Sequence, residues 1–136
     1  MGRATMDFMQ NGANGSDLAR LQERILAFVA EREWQQFHDP KNLSMAVAVE
    51  AGELMDHFRW LRNDESLKAL DDARTRTEVE EEVADVMILL LEFASVCGID
   101  VAAAVERKLE INARKYPVEL ARGNAVKPAR RGETQA

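Results

Sequence analysis

The chain has 136 residues, is 46% apolar and carries a net charge of -6. That is enough for one domain with a real core, and it is too acidic for the clustered Lys and Arg that grip a nucleic-acid backbone. No apolar run reaches the ~20 residues of a membrane span, and the one cysteine, Cys97, has no partner for an internal disulfide. A cytoplasmic protein with neither nucleic acid nor membrane as partner is the expectation.

With only three prolines and seven glycines, the chain favours helices. Residues 1–15 show no apolar periodicity and read as a flexible leader. Ser16 suits the N-cap of a first helix, along which Leu18, Leu21, Ile25, Phe28 and Val29 repeat at helical spacing up to about Phe37. Asp39-Pro40 breaks it. Asn42 caps a second helix over 43–62, and the polar stretch 63–74 holds one short helix around Leu67 and Leu70. Thr77 and Glu80 fit a capping box opening a third helix, which runs to Cys97 and stops at Gly98. Cys97, at the apolar end of that helix, reads as a buried structural thiol. Asp100 caps a fourth helix over 101–115, with Pro117 just beyond its end. The tail 121–136 is basic, polar and expected to be disordered. The fold class is therefore all-α, a four-helix bundle over residues 16–120.

Four acids break the helical pattern. Glu50 and Glu53 interrupt the apolar stretch from Leu43 to Met55, and Glu82 and Asp85 do the same before the apolar run Val86–Leu91. A spacing of three puts each pair on one helix face, and Asp85 is expected to sit deep. An E-x-x-E pair alone is usually a solvated face. Two such pairs in apolar surroundings are different, because unpaired buried carboxylates cost several kcal/mol each and neither segment supplies a basic partner. Mg²⁺, which prefers carboxylate and water oxygens, would neutralise them, and Mn²⁺ could substitute. Glu78, Glu80 and Glu81 need no such role at a helix start.

The pattern E-x-x-E, then residues 54–81, then E-x-x-D resembles the all-α, MazG-like nucleoside triphosphate pyrophosphohydrolases. The segments 33–38 (EWQQFH), 41–43 (KNL), 58–60 (FRW) and 108–117 (KLEINARKYP) look most like the dCTP pyrophosphatase branch, over residues 18–120. The resemblance implies hydrolysis of the α–β phosphoanhydride of a nucleoside triphosphate to a monophosphate and pyrophosphate. It implies Glu50, Glu53, Glu82 and Asp85 as magnesium ligands, with Glu50 or Glu53 taking the proton of the attacking water.

Lys108, Asn112 and Lys115 share one helix face beside Tyr116. On their own they read equally well as a snorkelling surface stripe; the resemblance implies phosphate binding. Trp34 and Trp60 read alone as helix-end core, and His38 as a loop residue. The resemblance implies a base pocket of Trp34, His38 and Trp60. His57 reads as surface or as a neighbour of the metal ligands, and Arg114 points away from the Lys108 face. One departure stands out: Leu89 occupies a position where the eukaryotic dCTP enzymes carry tyrosine. Broad-specificity or dUTP-type activity is therefore an alternative, and a non-enzymatic, cation-binding oligomerisation module is another. The third helix is apolar nearly all round, and similar enzymes are homo-oligomers, so a homotetramer is expected.

Overall fold

A computed structural model describes residues 15–125; of the leader expected over 1–15 and the tail expected over 121–136, residues 1–14 and 126–136 lie outside the described residues. All regular structure in this span is helical. In chain order the helices are α1 (Gly15–Ala30), α2 (Pro40–Asp56), α3 (Asn63–Ser66), α4 (Ala73–Val96), α5 (Val101–Lys115) and α6 (Val118–Ala121). Two 3-10 turns, Trp34–Phe37 and Lys68–Asp71, lie between them. The chain divides into two compact units between Ile99 and Asp100.

In the first unit α2 packs chiefly on α4, and α1 lies against α4 as well. Val29, Leu43, Val79, Leu91 and Ala94 form the buried apolar core where these three helices meet. Leu43 is the most enclosed, and its truncation to Ala would cost roughly 2–5 kcal/mol. Gln22 donates to the Ser95 hydroxyl at 3.1 Å and so ties α1 to the end of α4. Much of the remaining apolar surface stays half-exposed, including Met87, Ile88 and Leu90 on α4. Asp85 is also exposed rather than deep. The physical reason is geometric: α4 has 24 residues, and the helices packed on it within this unit cover only part of its circumference. An apolar cavity of about 520 Å³ opens between α1 and α4, lined by Leu21, Ile25, Phe28, Met87, Ile88 and Leu91 among others.

Several boundaries differ from the sequence reading. Helix α1 begins at Gly15, before the expected cap Ser16, and stops at Ala30, short of Phe37. Glu33 takes a left-handed conformation (φ 53°), which turns the chain into the Trp34–Phe37 turn. The Arg32 guanidinium donates to the Phe28 carbonyl at 2.9 Å and covers the Phe28 ring at 3.6 Å, closing the helix end. Helix α2 is capped by Asp39, not Asn42: the Asp39 carboxylate accepts from the Asn42 N–H at 2.9 Å, and Pro40 takes the first helical position, where no N–H is needed. The same helix ends at Asp56 instead of 62.

Helix α4 starts four residues before Thr77, at Ala73. Asp72 is its cap, accepting from the backbone N–H and the hydroxyl of Thr75, each at 2.8 Å. Those bonds hold the Asp72 carboxyl below its ordinary pKa. Thr77 is an interior residue whose hydroxyl donates to the Ala73 carbonyl. At the other end the expected Gly98 stop is present as a Schellman motif. Gly98 has φ +65°, its N–H reaches the Ser95 carbonyl, and the Ile99 N–H reaches the Ala94 carbonyl at 2.8 Å. Cys97 is exposed, not buried, because it caps the helix where the chain turns away from the core. In the second unit Asp100 caps α5 through the Ala103 N–H, as expected, and α6 extends helical structure just past residue 120.

Candidate functional site

Helix α2 carries Glu50 and Glu53, and the α2–α4 packing brings them to Glu82. One carboxylate oxygen from each of the three lies within 4.8 Å of the others. Glu50 and Glu82 are half-buried and Glu53 is exposed. Burial raises the pKa of Glu50, and the negative charges of Glu53, Asp85 and Glu82 raise it further. Asp85 thus acts on the same cluster from one turn further along α4. Among the described residues no Lys, Arg or His forms an ion pair with any of these four acids. Glu82 Oε2 is buried and has no hydrogen-bond partner.

A fully satisfied structural carboxylate would not look like this. An unpartnered buried oxygen costs about 1–3 kcal/mol, and more when charged. Converging carboxylates without basic partners raise that cost, and a hard divalent cation relieves both terms at once. The donor set, all oxygen, fits Mg²⁺ or Mn²⁺.

A second cluster forms around the turn after α1. Trp34 packs edge-on against Phe28 with ring centroids 5.9 Å apart, and the His38 ring lies 6.0 Å from it. Asn42 donates to the Phe37 carbonyl at 3.0 Å, which anchors the His38 backbone to the start of α2. His38 Nδ1 meets Glu92 Oε1 on α4. Glu92 is only 2% exposed, a buried acid whose hydrogen-bonded partner is His38. Sequence reasoning missed it because it stands alone rather than in a pair. The available signal was the one that singled out Asp85, an acid inside an apolar run, here Met87–Val96.

Trp60 stands apart from this cluster. It is 82% exposed in the turn after α2, where the Arg59 guanidinium covers its ring at 5.0 Å and is itself held by Asp56 at 3.0 Å. The described residues bring it into ring contact with neither Trp34 nor His38. His57 is half-buried at the end of α2 and is not among the clustered ligand atoms. In the second unit, Lys108 and Lys115 are exposed on α5, and Asn112 and Tyr116 are half-buried. The Asn112 carbonyl accepts from the Tyr116 N–H, and Lys115 Nζ lies 5.3 Å from the Tyr116 ring.

Three comparisons bear on this geometry. The sequence pattern of the MazG-like family matches residues 45–127, a span that includes all four acids. The dCTP pyrophosphatase 1 proteins of Bos taurus and Homo sapiens are each 42% identical over 100 residues, covering 74% of this chain and 59% of the relative. The chain therefore spans about three-fifths of the length of these relatives. Among solved structures, a pyrophosphatase from Archaeoglobus fulgidus superposes with a TM-score of 0.71 at 38% identity, covering 79% of this chain and 99% of the other.

Proposed function

Because this chain belongs to the MazG-like family, we propose that it is a magnesium-dependent nucleoside triphosphate pyrophosphohydrolase that acts on dCTP or a modified dCTP. The products are a nucleoside monophosphate and pyrophosphate. The observation that carries the reading is the convergence of Glu50, Glu53 and Glu82 with a buried, unpartnered oxygen on Glu82. The similarity to dCTP pyrophosphatases and to an archaeal pyrophosphatase supports the reaction class and the base.

Glu50, Glu53, Glu82 and Asp85 would hold the cation. When bound, the metal supplies charge neutralisation of the phosphates and a more acidic water. The chain's own groups do the rest. Glu50 or Glu53 takes the proton of the attacking water. Lys108, Asn112, Lys115 and Tyr116 bind phosphate, and Trp34, His38 and Trp60 bind the base, where stacking contributes ~1–3 kcal/mol per aromatic. The half-exposed apolar face of α4 and the cavity beside α1 support a homotetramer in which partner helices cover them.

Leu89, in place of the tyrosine of the eukaryotic dCTP enzymes, favours a second reading with broader or dUTP-type specificity. Pyrophosphate release from a panel of (d)NTPs with Mg²⁺ separates the two. Glu53→Ala and Asp85→Ala should each abolish turnover while circular dichroism stays helical. Absence of cleavage for every nucleotide defeats both readings. Function that survives Glu53→Ala favours a non-catalytic cation-binding module.

A further inference from the structure

Glu92 is a charged residue where the core wants an apolar one. A buried acid–imidazole pair contributes little net stability relative to packed apolar side chains, so stability does not account for it. Its position does. Glu92 lies ten residues after Glu82 and seven after Asp85 on α4, which at 3.6 residues per turn places all three on one face. Seven residues correspond to about 10 Å along the helix. That is comparable to the reach from the α-phosphate of a nucleotide to the far edge of its base. A phosphate held at the acid cluster therefore sets the base near the His38 end of α4.

The His38 ring has two polar atoms with different fates. Nδ1 is committed to Glu92. Nε2 has no hydrogen-bond partner among the described residues and is not a buried orphan, so it reaches solvent beside Trp34. An ionised carboxylate only accepts, so with Glu92 ionised it is Nδ1 that carries the proton and donates it to Glu92. In the neutral ring that bond leaves Nε2 as an acceptor.

We propose that Glu92 is a positioning residue which locks the His38 tautomer and so makes the base site select a nucleobase bearing an exocyclic amine over one bearing a carbonyl at that edge. An amine donates to Nε2; a carbonyl oxygen there would set lone pair against lone pair. The proposal rests on the pyrophosphohydrolase reading above and adds the means by which a cytosine-type base is told from a uracil-type one.

The test compares the full chain, Glu92→Gln and Glu92→Ala on dCTP and dUTP with Mg²⁺. The parent should favour dCTP by about tenfold or more, the worth of one hydrogen bond gained and one repulsion avoided. Glu92→Gln keeps an oxygen for Nδ1–H and should keep that preference. Glu92→Ala should lose about tenfold of it, with the change in KM rather than kcat. A folded Glu92→Ala with the parental dCTP/dUTP ratio, or a parent that prefers dUTP, overturns the proposal. Cleavage of neither nucleotide overturns instead the pyrophosphohydrolase reading. If Glu92→Ala does not fold, ¹⁵N spectra of the parent decide. With two histidines in the chain, His57→Gln assigns both, and a proton on His38 Nε2 rather than Nδ1 sinks the idea.

Discussion

Removing the His38 ring gives the sharpest test of how the α1–α4 region is held. His38→Ala leaves the Glu92 carboxylate, 2% exposed, without its hydrogen-bonded partner. Leaving a buried acceptor unsatisfied costs about 1–3 kcal/mol, and more when it is charged. Here the ring is itself 23% exposed, so its removal admits some water to Glu92, and about 3 kcal/mol is expected. For a chain of this length that is roughly 10 °C in Tm. The assay is a pair of urea melts, His38→Ala in the parent and in a Glu92→Leu background. In the second background no stranded charge remains, so the loss should shrink to the packing value of the ring, about 1 kcal/mol. Equal losses in the two backgrounds, or a single-variant loss below about 1 kcal/mol, would refute the claim that the pair is coupled and buried.

Other outcomes follow from the same structure. Glu50 has a raised pKa when folded, so it favours the metal-free fold below its ordinary value of 4.5, and that contribution is lost as pH rises through the raised value. Added Mg²⁺ should therefore raise Tm more at pH 7, where a hundredfold excess over Kd contributes about 2.7 kcal/mol of stability, than at pH 4.5; a pH-independent Mg²⁺ effect on calorimetric Tm contradicts this. Asp72 shows the opposite sign: its lowered pKa stabilises the α4 start above about 3.8, with loss as pH falls through the folded value. Asp72→Ala should lower the urea midpoint at pH 7 and lower it less at pH 3. Met87→Lys puts a charge on the half-exposed cavity wall and should shift a sedimenting oligomer towards monomer; an unchanged sedimentation coefficient argues against that face as a subunit contact.

Features set by neighbours in sequence were legible without a structure. The all-helical class follows from 3.6-residue apolar spacing and scarce breakers. The Gly98 stop and the Asp100 cap are also local, since a left-handed residue and a side chain three positions upstream of an N–H decide them. The acid pairs were visible because a spacing of three fixes a shared face wherever the helix ends up. Boundaries failed where two nearby residues could both cap. Asp39 and Asn42, or Asp72 and Thr77, compete on similar terms, and the winner depends on where the helix must begin to pack.

Burial and partnering depended on contacts between helices distant in sequence. Whether Glu82 Oε2 has a partner, and whether Asp85 is deep or exposed, depends on which helices cover α4, and apolar spacing cannot tell a covered face from one awaiting a partner. The pairing of His38 with Glu92, 54 residues apart, left no mark of spacing at all. Which carboxylates share a face was thus readable from spacing alone, because helical periodicity is a local property. The fold determined which of them are buried, partnered or left to a cation, because those are properties of what packs against each face.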